Sequence, residues 1–247
     1  RECHEMGKEL IVESRCEQLT EEKLSWATSI NPSFTVAIGL EAYDDEVLRF
    51  HVNKGFTIKS WDKAVENLRK FDLRIKTYLM FKPPFMSEKD ALVHGVKWIK
   101  DVASRSDEIS VNPMNIQRGT IIDRLHRHNE YRPPWLWSLV EMIKQAHPHI
   151  HPKGGVNGSP DQVSRLIIHP TAGGKIRGAH NCGSCDKFVV AAIERYAVSG
   201  DLREFDGLSC ECQSMWQEEL ALEAALPLPL GISRPRRGNR IENLRSL

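Results

Sequence analysis

The chain has 247 residues, room for one large domain or for one domain and a small module. Its 40% hydrophobic and 27% charged content is that of a soluble globular protein, and no apolar run approaches the ~18 residues of a membrane span. The net charge of +1 makes no global case for nucleic acid, and the start, Arg1-Glu2-Cys3-His4-Glu5, carries no secretory signal, so a cytoplasmic protein with no membrane partner is expected.

Glu9 to Glu13 is a short apolar run that reads as a buried strand. Thr20-Glu21-Glu22 then offers a helix N-cap with acidic residues in the first turn. Thr35 to Leu40 is a second strand. Asp44-Asp45-Glu46 opens a helix carrying Val47, Leu48 and Val52, with Gly55 as its expected end. Ser60 is read as the cap of the next helix, whose Trp61, Ala64, Val65, Leu68 and Phe71 form one apolar face. Arg74 to Phe81 is a third strand, stopped by Pro83-Pro84. Ser87-Glu88-Lys89-Asp90 resembles a capping box ahead of Ala91, Leu92, Val96, Ile99 and Val102. Glu108 to Val111 is a fourth strand, ending in Asn112-Pro113 and followed by the turn Arg118-Gly119-Thr120.

Strands alternating with helices predict a parallel sheet covered on both faces, here an α/β fold amounting to a partial TIM-like (β/α) barrel. Ligands in such folds sit at the C-terminal ends of the strands. Those ends are Glu13-Ser14-Arg15, Gly39-Leu40-Glu41, Lys82-Pro83-Pro84 and Asn112-Pro113, each polar or turn-forming. Helices follow over Ile121 to His126 and Trp135 to His147, then an extended loop carrying His147, His149 and His151 between prolines, then a strand over Ser164 to His169. Three regions result: the barrel over 1–150, a last strand with a cysteine module over 151–225, and a basic tail over 226–247 read as disordered.

The cysteine module is Cys182-Gly183-Ser184-Cys185 and Cys210-Glu211-Cys212, flanking an expected helix over Asp186 to Ala197. Two close pairs separated by a helix suit a four-thiolate site for zinc, in a tetrahedron, or for an iron–sulfur cluster, with zinc expected; His180 could replace one cysteine. On these residues alone, a zinc-organised RNA-binding module without catalysis, or a zinc-dependent barrel lyase or hydrolase, remains open.

The ordered series Glu9–Glu17, Ile38–Val47, Asn53–Thr57, Lys82–Phe85 and Ile109–Thr120 resembles the later strands of a radical S-adenosyl-L-methionine core, in the branch of the elongator acetyltransferase's radical domain. Tyr131–Ser138 and His180–Asp186 are most similar to the archaeosine-biosynthesis radical enzymes of that branch. The resemblance implies a partial (β/α)₆ barrel. It implies a [4Fe–4S] cluster that cleaves S-adenosylmethionine to a 5′-deoxyadenosyl radical. The implied substrate is tRNA bearing a lysine-adducted 7-deazaguanine, whose C–N bond is broken to leave archaeosine. A partner enzyme attaches the lysine beforehand.

By that resemblance Glu13, Glu41 and Asn112 contact the S-adenosylmethionine, and Arg118, Lys82 and Arg177 meet the tRNA substrate. Cys182, Cys185, Cys210 and Cys212 hold the second metal. One departure stands out. The family binds its cluster through Cys-x₃-Cys-x₂-Cys, and no such spacing occurs here, with twelve residues standing between Cys3 and Cys16. With no methionine at the start, the chain therefore reads as an N-terminally truncated, inactive fragment whose cluster ligands lie upstream.

Overall fold

A computed structural model describes residues 8–150 and 165–225. The basic tail read over 226–247, Cys3 and His151 lie outside the described residues. The elements follow the expected order. β1 (Ile11–Ser14) leads to α1 (Glu21–Ile30), where Thr20 caps the helix by accepting from the Lys23 N–H at 3.4 Å. β2 (Thr35–Glu41) leads to one α-helical turn, Asp45–Val47, that widens into a π-turn over Leu48–Val52. Then come α2 (Ile58–Lys70), β3 (Arg74–Phe81), α3 (Glu88–Ala103), β4 (Glu108–Pro113) and α4 (Ile121–Arg127). α5 (Leu136–Ile150), β5 (Arg165–Ile168), α6 (Asp186–Ser199) and α7 (Cys212–Ala225) complete the described chain.

The five strands form one parallel sheet in sequence order, β1-β2-β3-β4-β5. Each crossover is long enough to carry its connection over a face of the sheet, and parallel pairing with neighbours in chain order is the arrangement of a partial (β/α) barrel. Val36, Ile38 and Leu40 of β2, Ile75, Leu79 and Phe81 of β3, and Ile109 and Val111 of β4 are all buried in one core with Trp61 of α2, Trp98 and Ile99 of α3 and Leu139 and Ile143 of α5. Both faces are buried along the middle of the sheet, Ala37 and Ser110 on one and Ile38 and Ile109 on the other, but the two faces differ in character. β3 alternates, with Ile75, Thr77, Leu79 and Phe81 buried and Lys76, Tyr78 and Met80 only half-buried. Successive side chains on a strand point to opposite faces, so one face belongs to the helices and the other is left for small and polar groups.

Several local expectations change. The helix begun at Asp44 ends at Asn53, in the left-handed region at φ 55°, and not at Gly55. Asn tolerates that conformation because its short polar side chain bonds locally. Thr57, not Ser60, occupies the N-cap of α2, and the Ile58 N–H instead donates to Asp45 Oδ1 at 2.7 Å. The expected loop at His147 is helical to Ile150, through Pro148. A proline near a helix end removes a single hydrogen bond, and burial of Ala146 and Ile150 offsets that loss. α7 has no counterpart in the sequence reading: only its Cys212 and Trp216 are buried, so it shows no apolar stripe to detect.

Candidate functional site

The polar face of the sheet opens into a cleft of about 690 Å³. Glu13 of β1, Glu41 of β2 and Asn112 of β4 line it together, with Lys76 and Tyr78 of β3 between them. Three residues far apart in sequence reach one cavity because parallel strands put all their C-terminal ends on the same side. Glu13 is exposed, and its Oε1 accepts from the Tyr78 hydroxyl at 3.3 Å. Burial raises the Tyr78 phenol above its ordinary value, so it remains a donor. The nearby cations are spoken for: Arg15 bonds Glu17 at 2.7 Å and Lys76 bonds Glu108 at 2.5 Å. Glu41 is bound by Lys54 at 2.9 Å.

Arg15, Lys54, Lys76, Tyr78, Ser110 and His169 also line the cleft and were not singled out from the sequence as site residues. A signal for part of this set was present. Lys76, Tyr78 and Met80, and Glu108, Ser110 and Asn112, recur at every second position in runs that otherwise read as apolar, which marks a second, wetter face.

The three residues expected to meet tRNA are not brought together at this cleft. Lys82 follows β3 in the left-handed region at φ 56°, and its side chain is interior, paired with the fully buried Glu88 at 2.7 Å. Its expected role at an RNA phosphate is corrected on that ground: the ammonium is enclosed and already neutralised. Arg177 bonds Asp123 at 2.7 Å and the Ile116 carbonyl at 3.1 Å. Asp123 also accepts from the Gly119 N–H at 3.0 Å and from Arg127 at 2.9 Å, so one carboxylate fastens the whole 119–127 turn. The Arg177 guanidinium holds Asp123 below the usual carboxylate range. Arg118 stands exposed in the same turn, where Gly119 takes φ 77°.

The second constellation is the four cysteines. Sγ of Cys182 lies 3.9 Å from Cys185 and 3.7 Å from Cys210, and Cys185 lies 3.7 Å from Cys212. All four sulfurs fall within 4.8 Å of one another. A tetrahedron with metal–sulfur bonds of about 2.3 Å has edges of about 3.8 Å, so these sulfurs stand where one tetrahedral ion would hold them. A [4Fe–4S] cluster gives each thiolate a different iron and spreads the sulfurs wider, so it does not fit this set. The outer contacts suit thiolates. Trp137 Nε1 donates to Cys212 at 3.2 Å, and Asn181 Nδ2 donates to Cys185 at 3.3 Å. Asp186 fastens the knuckle by accepting from the Asn181 N–H at 2.7 Å and from the Gly183 N–H at 2.5 Å. His180 is turned to the Gly178 carbonyl at 2.8 Å and takes no place in the cluster.

No protein-family model matches the chain. It is 34% identical over 219 residues to archaeosine synthase subunit beta of Methanosarcina acetivorans, covering 87% of the chain and 59% of that protein. It is 35% identical over 213 residues to archaeosine synthase subunit beta of Thermococcus kodakarensis, covering 85% of the chain and 62% of that protein. An uncharacterised protein of Methanocaldococcus jannaschii is 30% identical over 92% of the chain and 60% of its own length. Among solved structures, Methanocaldococcus infernus Elp3 with an N-terminal deletion superimposes with a TM-score of 0.58 at 19% identity, over 79% of the chain and 42% of that protein. The chain thus spans about 60% of the length of the curated relatives it matches. It is a homologue of archaeosine synthase subunit beta, and its fold is shared with part of the archaeal Elp3 structure.

Proposed function

We propose that this chain is the cofactor- and substrate-binding part of a radical S-adenosylmethionine enzyme of tRNA modification. Its reaction is cleavage of a C–N bond in a lysine-adducted 7-deazaguanine, leaving archaeosine. The observation that carries the reading is the meeting of Glu13, Glu41 and Asn112 in one strand-end cleft of a chain related to archaeosine synthase subunit beta.

The cleft suits S-adenosylmethionine in size and polarity: about 690 Å³ lined by carboxylates, an amide and a phenol, with the lining cations Arg15, Lys54 and Lys76 each paired to a carboxylate. When bound, that cofactor supplies radical hydrogen abstraction. Glu13 and Glu41 would accept from its ammonium or hydroxyl groups, and Asn112, on β4, would face the adenine or the substrate. Arg118 and Arg177 would lie towards the tRNA. A partner subunit that attaches the lysine is part of the reading. The cluster does not fit residues of this chain. Its cysteines lack the three-cysteine spacing, and the four that converge suit a single ion, so cluster ligands would come from sequence outside it. That ion is proposed to be zinc, in a structural role. Four thiolates fill the tetrahedron and leave no open position for a bound water, which disfavours a zinc hydrolase.

The test is equilibrium binding of S-adenosylmethionine to the full-length protein. Asn112→Ala is expected to weaken it about tenfold, an effect of the size of one or two lost hydrogen bonds. Wild-type affinity in Asn112→Ala and in Glu13→Ala together would sink the assignment of the cleft.

A further inference from the structure

Glu41 is held in an unusual way. It stands at a β-bulge, where the register of β2 on β3 shifts between Gly39 and Glu41, and its backbone is left-handed at φ 72°. A non-glycine residue persists in that conformation only when its surroundings over-determine it. Two features do so here. Lys54 Nζ bonds Glu41 Oε1 at 2.9 Å, with the two side chains 21% and 18% exposed, so the pair is partly desolvated. A side chain on Gly39 would also collide with both partners, since its Cβ would stand 2.8 Å from Glu41 Oε1 and 3.0 Å from Lys54 Nζ. The pair therefore occupies the space that the missing Cβ vacates.

Lys54 is itself anchored. Its N–H donates to the Leu48 carbonyl at 2.9 Å, closing the π-turn, and its carbonyl accepts from Arg15 Nη2 at 3.3 Å. Its ammonium also lies 5.7 Å from the centre of the Phe56 ring. The anchor comes from the segment after the bulge, so the π-turn and the strand end lock each other.

We infer that Lys54 is a positioning residue for the cleft: it fixes the Glu41 carboxylate over Gly39 by one oxygen and leaves the other to accept from the ligand. This rests on the reading of the cleft as an S-adenosylmethionine site. It adds that Glu41 acts as one half of a neutral pair. Without Lys54 the carboxylate has rotamer freedom to lose on binding and a bare charge in a half-closed cleft.

The experiment is calorimetric binding of S-adenosylhomocysteine, a stable probe, to the full-length protein. Glu41→Gln and Lys54→Met are each expected to weaken binding about tenfold, with the double variant no weaker than either single one, because both remove the same arrangement. Lys54→Arg is expected to restore most of the affinity, a rescue that a general folding defect would not show. Lys54→Gln, which keeps a donor, guards against misfolding in the methionine variant, and the melting temperature of each is recorded. Wild-type affinity in both Lys54→Met and Lys54→Gln, with Glu41→Gln weakened, overturns the positioning role alone. Strict additivity in the double variant also overturns it. Wild-type affinity in Glu41→Gln removes Glu41 from the site, and both readings of it fall together.

Discussion

Lys82 Nζ and Glu88 Oε2 form an ion pair 2.7 Å apart with side chains 6% and 0% exposed. The pair is tied into its surroundings on both sides. Glu88 Oε1 accepts from the Trp135 N–H at 2.9 Å, and the Tyr131 hydroxyl donates to the Lys82 carbonyl at 2.7 Å. Glu223 of α7 caps the start of α3 from above, accepting from the Glu88 and Lys89 N–H groups at 3.2 and 2.7 Å. The rim of β3 and α7 are thereby tied at one point. Breaking such a pair strands a buried charge. Glu88→Ala is expected to cost about 3–5 kcal/mol in urea unfolding. Replacing both partners, Lys82→Met with Glu88→Leu, should cost clearly less. A single-variant loss below about 1 kcal/mol would show that water reaches the pair.

Metal removal should loosen the module that carries α7. Cys212 begins that helix and Cys210 precedes it, and the Trp216 indole stitches it to Ser138 of α5 at 2.8 Å. Because α6 and α7 also pack on the barrel, chelation is expected to lower the melting temperature by about 6–12 °C, the shift for roughly 3 kcal/mol in a domain of this size. Metal analysis should return one ion per chain. Cys185→Ser is expected to lose the ion and to melt like the chelated protein. A melting temperature indifferent to both chelator and Cys185→Ser would leave the thiolates without a structural role.

Three histidines contribute to the pH dependence of stability. Burial lowers His51, whose Nδ1 lies 2.7 Å from the Pro84 carbonyl, and burial likewise lowers His147 and His180. A histidine with a depressed folded pKa takes up a proton more readily when unfolded. Its contribution is present above about pH 6.5 and is lost as pH falls from there through the folded value. The melting temperature is therefore expected to drop between pH 7 and pH 5. His51→Gln should flatten part of that slope. A melting temperature that holds or rises over this interval would contradict the assignment. The carboxylates held low, Glu17, Glu21, Asp123 and Asp201, act at more acidic pH, outside this window.

The order of the strands and most helix starts were legible because they rest on local rules. Thr20, Asp44 and Ser87 cap helices as their side-chain chemistry predicts, and Arg74–Phe81 reads as a strand from its β-branched and aromatic content. The failures were of another kind. α7 has almost no buried stripe, since carboxylates such as Glu219, which accepts from Trp135 Nε1 at 2.8 Å, hold it in place. A helix docked by polar side chains leaves no hydrophobic period. Lys82 looked like a surface lysine because nothing local tells where Glu88 will point.

The sequence by itself determined the alternation of strands and helices, the strand ends that carry Glu13, Glu41 and Asn112, and the two cysteine pairs, because each is a matter of spacing along the chain. Only the tertiary structure decided which charges meet. It buried Lys82 on Glu88, set Lys54 on Glu41 over Gly39, and gathered four sulfurs to within 4.8 Å. Pairing of this sort depends on where elements dozens of residues apart come to rest, and on which groups lose water when they do.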